Sequence, residues 1–124
     1  MMTVLAVILG GAVGAPLRYV VDRLVTERTA GVSGMRALPW GLFSVNALGS
    51  AAAGVVYGAT TGDLRVLLLV GFCGAFTTFS GFAWEADRMW PDNREGFWLS
   101  VVLIPIVCVV LFVFATAFTV LLVK

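Results

Sequence analysis

The sequence contains 124 residues, of which 60% are hydrophobic and only 12% charged, and its mean hydropathy is +1.03. These values lie outside the range of water-soluble domains and predict an integral membrane protein. The net charge is +1 and no Lys/Arg cluster stands clear of acids, so there is no electrostatic basis for binding nucleic acid. Histidine is absent, which removes Ser-His-Asp and Cys-His catalysis, and we do not expect an enzyme.

Charged side chains leave four uncharged stretches, and a helix that crosses a bilayer needs about 20 mostly apolar residues. The first stretch reaches that length if Arg18 lies at the membrane edge, where its stem can carry the guanidinium to water. We therefore predict an all-α integral membrane protein with one four-helix domain over 1–124. The spans are expected at about 2–21, 40–60, 66–84 and 97–123.

The first span contains two glycines four residues apart, Gly10 and Gly14, which put bare backbone on one helix face. A neighbouring helix is expected to approach closely there. No Lys or Arg precedes the span and Pro16 follows its only small-residue cleavage candidate, which argues against a cleaved signal peptide. The polar loop from Asp22 to about Leu38 is the longest, and its start can extend the first helix as an amphipathic turn.

The second span opens with Pro39 and Trp40, a proline suited to a first helical turn and a tryptophan suited to the headgroup interface. Small and polar residues then recur at every fourth position and form one stripe: Asn46, Ser50, Gly54 and Gly58. Asn46 is the only carboxamide inside a span, and its NH₂ group offers two donors to an anion that must shed water. An interhelical hydrogen bond is the alternative role for Asn46.

The middle of the third span has residues that weaken a helix through flexibility or through competition for backbone hydrogen bonds: Gly71, Gly74, Gly81, Thr77, Thr78 and Ser80. We predict that this span is broken mid-membrane near Gly74–Thr78. Non-helical backbone at that depth persists only where it is buried in protein or lines a cavity, and its freed carbonyls are oxygen ligands suited to a small cation. A tightly packed, unbroken helix is the alternative.

Phe79 and Phe82 lie three residues apart, so a helix that resumes after the break places both rings on one face. The positive edges of two phenyl rings can line an anion path without a full charge that would trap the ion, although ordinary packing also explains the pair. A proton-coupled transporter needs a titratable group deep in the membrane, and the uncharged stretches contain no Asp, Glu, Lys, Arg or His. Passive conduction is therefore favoured over coupled transport.

Three blocks of the sequence together resemble the Fluc/CrcB fluoride channels. The blocks are Gly10-Gly11-xx-Gly14-xxx-Arg18-Tyr19, Pro39-Trp40-Gly41-xxxx-Asn46-xx-Gly49-Ser50 and Gly71-Phe-Cys-Gly74-xx-Thr-Thr-Phe-Ser-x-Phe82. The third block is the specific one. The resemblance implies a fluoride-specific channel in a bacterial plasma membrane that exports fluoride passively and relieves its toxicity. It also implies two chains packed antiparallel around a structural Na⁺.

The same resemblance implies roles for individual residues. Backbone carbonyls of Gly74 and Thr77 would bind Na⁺, Asn46, Phe79, Ser80 and Phe82 would line the fluoride pore, and Arg18 would lie in the vestibule. Two positions depart from the usual pattern, because Leu42 and Gly81 each stand where the family usually has threonine. The fourth span is also poorer in polar residues than is usual.

Two other functions stay open. A small multidrug-type exporter also has four spans and an antiparallel arrangement, but it depends on a carboxylate in the first span, and Met1–Leu17 contains none. A non-conducting subunit that pairs with a homologous channel chain is the other possibility. Thus either an antiparallel homodimer or a heterodimer with a homologous subunit is compatible with the sequence.

The positive charges are divided unevenly between the two membrane faces. The odd-numbered loops hold Arg18, Arg23, Arg28, Arg36, Arg88 and Arg94, whereas the other side holds Arg65 and Lys124. The positive-inside rule then places both termini outside and the first and third loops in the cytoplasm. A chain that inserts in both orientations should have almost no bias, so this bias favours an oppositely oriented homologous partner.

Overall fold

A computed structural model describes residues 2–30 and 38–123. Four helical spans occur within these residues, and each is long and apolar enough to cross a membrane. Helix α1 is Met2–Thr29, α2 is Trp40–Ala59, α3 covers 62–76, α4 is Phe79–Met89 and α5 is Arg94–Val123. The third span consists of α3 followed by α4, and the predicted all-α membrane fold is confirmed.

Helix α1 continues beyond Arg18 for almost three further turns and ends at Thr29. Its last part carries an exposed ion pair one turn apart, in which Arg23 Nε lies 2.7 Å from Glu27 Oε1. The amphipathic extension expected from the sequence is therefore present. Arg36, in the loop that follows, and Lys124 lie outside the described residues.

Glycines bring the backbones of α1 and α3 into direct contact. A Cβ added at Gly10 would collide with the backbone of Leu67 and Phe72, and one at Gly14 would collide with the carbonyl of Phe72. From the other side, a Cβ added at Gly71 would lie 3.0 Å from the Cα of Gly10. The predicted close approach at Gly10 and Gly14 is confirmed, and its partner is the first half of the third span.

Helix α2 packs along α5 through the C-terminal part of its small-residue stripe. Gly54 lies against α5 so closely that an added Cβ would be 2.9 Å from Ala115 Cβ, and Thr116 Oγ1 donates to Gly54 O at 3.2 Å. One turn later, a Cβ at Gly58 would be 3.0 Å from Thr119 Cβ. This end of the stripe is covered by α5, whereas Asn46 at its N-terminal end bonds to the third span.

The turn between α2 and α3 is stabilised by an arginine that caps a helix. Gly62 has φ +63°, in the region that favours glycine. Arg65 then folds back, so that its Nε donates to Thr60 O at 2.7 Å and its Nη2 donates to Tyr57 O at 2.9 Å. A cation at the C-terminal carbonyls of α2 is favoured by the helix dipole.

The outer surface of the bundle is apolar over most of its height, as expected of a protein that has lipid as its solvent. Large side chains of α5 such as Val109, Phe114 and Leu121 are more than half exposed. At the end of this surface, Trp90 packs edge-on against Phe97, with ring centroids 4.9 Å apart. Such aromatic groups are typical of the membrane–water interface.

Candidate functional site

The third span is interrupted at two threonines. Thr77 (φ −84°, ψ 163°) and Thr78 (φ −150°, ψ 121°) are extended, so that α3 ends at Phe76 and α4 begins at Phe79. The predicted break is confirmed, and the alternative of an unbroken helix is wrong. The first half of the span also contains a π-helical segment, Val66–Cys73, which the sequence did not indicate.

Asn46 of α2 occupies the break with its carboxamide. The N–H of Thr78 donates to Asn46 Oδ1 at 2.8 Å, and Asn46 Nδ2 donates to Thr78 O at 3.2 Å. Asn46 is only 8% exposed. The structure thus shows the interhelical hydrogen bonds that were the alternative role for this residue. A role toward an anion stays a prediction, and among the described residues the second N–H of Nδ2 has no recorded partner.

Thr78 begins α4 with its own side chain. Its Oγ1 accepts the N–H of Gly81 at 3.0 Å, which is a helix N-cap, and lies 3.2 Å from Ser80 Oγ. The sequence predicts Thr78 only as a helix-weakening residue, and its capping role is seen first in the structure. The available signal was a threonine directly before the residues that resume the helix, which is the position that favours an N-cap.

These bonds remove the helical partners of two carbonyls. In a continuous helix the N–H of residue i donates to the carbonyl of residue i−4. Thr78 N–H would then donate to Gly74 O and Gly81 N–H to Thr77 O, but Asn46 and the Thr78 hydroxyl accept these two donors instead. The carbonyls that lose their helical partners at the break include those of the two residues predicted to bind Na⁺, Gly74 and Thr77.

The oxygens at this point fit a small hard cation in chemical type. The described residues contain no group of three or more Cys, Asp or Glu side chains that could hold a metal ion, so a cation here would depend on main-chain oxygens. Gly74 is exposed, and a Cβ added there would meet only Leu69 O, at 3.8 Å. A hard cation takes about six oxygens, so one chain supplies only part of a coordination shell.

The two phenylalanines after the break lie side by side. The ring centroids of Phe79 and Phe82 are 5.8 Å apart, with the ring planes inclined at 44°. Phe79 is 80% exposed in the single chain. The rings therefore share one face of α4, as their spacing predicts, and their role in a pore stays a prediction.

A groove of about 780 Å³ lies between the end of α1, the start of α2 and α4. Residues of the break region and the start of α2 line it, among them Leu42, Thr78, Ser80 and Gly81, and so do five charged residues: Arg18, Asp22, Arg23, Glu27 and Glu85. The structure thus brings Arg18 and Ser80 to one groove. Arg18 is half-buried and has no recorded ion pair or hydrogen bond with any other described residue, so its charge is available to a solute.

A second groove, of about 340 Å³, lies on the other side of the break. Gly74 and Thr77 line it together with small residues of α2 that include Gly49 and Ser50. The two cysteines, Cys73 and Cys108, are free and line the same groove. The predicted cation ligands and the charged groove therefore lie on different sides of the broken span.

The described residues thus form a polytopic membrane protein whose third span is broken between a charged groove and a groove lined by small residues. The family described as CrcB-like protein, Camphor Resistance (CrcB), matches residues 5–120, and the chain belongs to this family. Fluoride-specific ion channel FluC 1 of Nocardia farcinica is 44% identical over 101 residues, covering 81% of this chain and 68% of that protein.

Two further relatives extend this similarity. Fluoride-specific ion channel FluC 1 of Streptomyces avermitilis is 40% identical over 104 residues, which cover 80% of this chain and 79% of the relative. Fluoride-specific ion channel FluC of Bacteroides fragilis is 33% identical over 120 residues, covering 93% of each chain. The similarity to this last protein therefore extends through the fourth span.

Proposed function

We propose that this chain is a subunit of a fluoride-specific ion channel in a bacterial plasma membrane, and that it lets fluoride leave the cytoplasm passively and so relieves fluoride toxicity. It is a channel and not an enzyme. The observation that carries the proposal is the break at Thr77 and Thr78, which lies beside a charged groove and is followed directly by two adjacent phenyl rings on α4. Three relatives named as fluoride-specific ion channels support the choice of ion.

The groove provides a route for an anion into the membrane. The groove's described lining holds two arginines and three carboxylates, so attraction of an anion is local to Arg18, because Arg23 is paired with Glu27. Ser80 lines the same groove, and its hydroxyl can replace a water of hydration. Phe79 and Phe82 then offer ring edges, and Asn46 has a further N–H close to the break. No charged side chain of this chain would hold the ion there.

The proposed cation is a structural Na⁺ held by the main-chain oxygens of Gly74 and Thr77. Neither carbonyl keeps its helical partner, and the surface at Gly74 is open. When bound, Na⁺ would neutralise these carbonyl dipoles and connect the segments that present them. Two oxygens per chain leave the shell incomplete, and a second chain that presents the same pair would double the number.

The assembly proposed is therefore an antiparallel pair of chains. The partner is a second copy of this chain or a homologous subunit, and the six-to-two distribution of Lys and Arg between the loops supports the homologous subunit. The multidrug-type exporter is not favoured, because the first span has no carboxylate and the named relatives are channels.

Fluoride efflux from liposomes that contain the purified chain tests the proposal. The liposomes are loaded with potassium fluoride, and a fluoride electrode records release. Valinomycin lets K⁺ leave with fluoride, so that no membrane potential builds up and stops the efflux. We expect efflux either from the chain alone or after a homologous subunit from the same organism is added. Chloride-loaded liposomes read with a chloride electrode are the control and should release no chloride. Absence of fluoride release in both preparations would contradict the proposal.

A further inference from the structure

Three polar groups are concentrated at the break and bond to the backbone of the third span. Asn46 Oδ1 accepts Thr78 N–H, Asn46 Nδ2 donates to Thr78 O, and Thr78 Oγ1 accepts Gly81 N–H. No other carboxamide lies in a described span, and Asn46 comes from a different helix, 32 residues earlier in the chain. The two side chains thus accept two of the N–H donors that would otherwise continue the helix through the break, those of Thr78 and Gly81.

We infer that Asn46 and Thr78 are positioning residues that hold the carbonyls of Gly74 and Thr77 free for a cation. This inference rests on the sodium site of the proposed function and assigns its preorganisation to two side chains that are not ligands. Asn46 acts on the Gly74 carbonyl by accepting the N–H that would cover it. Thr78 acts on the Thr77 carbonyl in the same way through its hydroxyl.

The physical reason is competition for backbone donors in a medium that offers no water. A carbonyl inside the hydrocarbon region must find a partner, and the nearest one is the N–H four residues later. Without the Asn46 acceptor, Thr78 N–H would turn to Gly74 O and the helix would tend to close through the break. A cation would then have to compete with a hydrogen bond for the same oxygen, and its affinity would fall.

Asn46 forms both a donor and an acceptor bond with the backbone of Thr78. Asn46 presents an acceptor to Thr78 N–H and a donor to Thr78 O, so that both backbone groups of this extended residue are satisfied. If Asn46 served only to join two helices, one of these two bonds would be enough. Satisfying both lets Thr78 remain extended at membrane depth, which is the condition for non-helical backbone there.

The test is a sodium titration of the purified channel in detergent, with N-methylglucamine replacing Na⁺. The readout is the Na⁺ concentration at the midpoint of the thermal stabilisation, which does not depend on fluoride flux. Asn46→Leu keeps the volume and removes both polar groups, whereas Asn46→Asp keeps an acceptor in either protonation state. Thr78→Val and Thr78→Ser form a second pair, in which only serine keeps the cap oxygen.

We expect the sodium midpoint to rise about tenfold or more in Asn46→Leu and Thr78→Val, since loss of groups that orient metal ligands costs roughly 10–100-fold in affinity. Asn46→Asp and Thr78→Ser should bind Na⁺ no more weakly than the unaltered channel, within about threefold. Thr116→Val removes another interhelical bond to α2, remote from the break, and serves as the matched control. It should lower thermal stability without moving the sodium midpoint.

An unchanged sodium midpoint in Asn46→Leu and Thr78→Val would overturn the inference, as would a channel with no sodium-dependent stabilisation. If Asn46→Leu fails to fold, the inference is tested by comparing the sodium midpoints of Thr78→Val and Thr78→Ser. Fluoride efflux of the unaltered channel is measured on the same preparation. If the unaltered channel conducts fluoride but the substitutions do not change the sodium midpoint, the positioning role is wrong. The proposed function is not affected by that result.

Discussion

At the scale of single residues, the two positions that depart from the usual family pattern contact each other. Leu42 is 5% exposed, and its Cδ1 would lie 3.1 Å from a Cβ added at Gly81. The methyl group of Thr78 would lie closer still, at 2.9 Å from that Cβ. Leucine therefore fills space that a side chain at position 81 would need, and the two departures form one packing arrangement at the inner end of the groove.

The first prediction concerns this contact. Gly81→Ala should destabilise the protein by about 1–3 kcal/mol, since overpacking costs about that much, and the main collision is with the methyl group of the residue that caps α4. Adding Thr78→Ser to Gly81→Ala removes that methyl and keeps the cap oxygen, so it should restore most of the loss. Thermal unfolding of the purified protein measures both effects. A Gly81→Ala protein as stable as the unaltered one would contradict the prediction.

The second prediction concerns the ring pair. Phe79→Ile and Phe82→Ile keep much of the side-chain bulk and lose the ring edges, which contribute about 0.5–1.5 kcal/mol per contact. Together they should slow fluoride efflux by roughly tenfold or more, while size-exclusion chromatography shows the assembly unchanged. Phe72→Ile is the control, because Phe72 stacks on Phe76 in α3, before the break. Equal efflux in all these variants would assign Phe79 and Phe82 to packing alone.

At the scale of helices, the small residues of the sequence have separate structural uses. Gly10, Gly14 and Gly71 let α1 and α3 meet backbone to backbone, whereas Gly54 and Gly58 do the same for α2 and α5. In lipid, the hydrophobic effect does not drive apolar helices together, because the lipid tails are equally apolar. Close van der Waals packing of this kind therefore stabilises the bundle. The first half of the third span is therefore fixed against α1, and α2, which bonds to the break through Asn46, is fixed against α5.

The third prediction compares neighbouring glycines of α1. Gly10→Ala should destabilise the bundle by about 1–3 kcal/mol, because its Cβ would collide with main-chain atoms of α3 that cannot rotate away. Gly11→Ala is the matched control, since its Cβ would lie 3.9 Å from Ala75 Cβ, an ordinary contact. It should be neutral or slightly stabilising. The thermal midpoints of the two purified variants test this, and equal midpoints would show that α1 and α3 are less closely packed.

The sequence predicted these elements to different extents, for physical reasons. Clustered glycines and threonines predicted the break, because they act on local backbone conformation. The bonds between Asn46 and Thr78 could not be predicted, since they depend on how two helices separated by 32 residues lie against each other. The glycine spacing of α1 predicted a close neighbour without identifying α3. The π-helical segment Val66–Cys73 has an ordinary apolar sequence and gave no signal.

At the scale of the whole molecule, one chain presents only part of what an ion pathway requires. Phe79 is largely exposed, Gly74 is open on one side, and the two carbonyls are too few to surround a cation. These features are the basis for expecting a second chain, and the sequence adds a charge bias that suggests how the two chains are oriented.

The fourth prediction is that this chain inserts in a single orientation. With six Lys and Arg residues in the odd-numbered loops and two on the other side, both termini should face the outside. Reporters fused after Lys124, one active only in the cytoplasm and one only outside it, should give signal on the outside alone. Comparable signal from both reporters, together with efflux from the single purified chain, would show a dual-topology homodimer instead.

The most direct test of the central claim, passive and fluoride-selective conduction, is the reversal potential of the current in a planar bilayer that contains the channel. With a tenfold fluoride gradient, equal pH and equal chloride on both sides, the account predicts a current that reverses about 59 mV from zero, at the equilibrium potential for a univalent anion. Imposing a pH gradient should not move that value. A reversal potential that stays near zero, or that follows the proton gradient, would contradict the account.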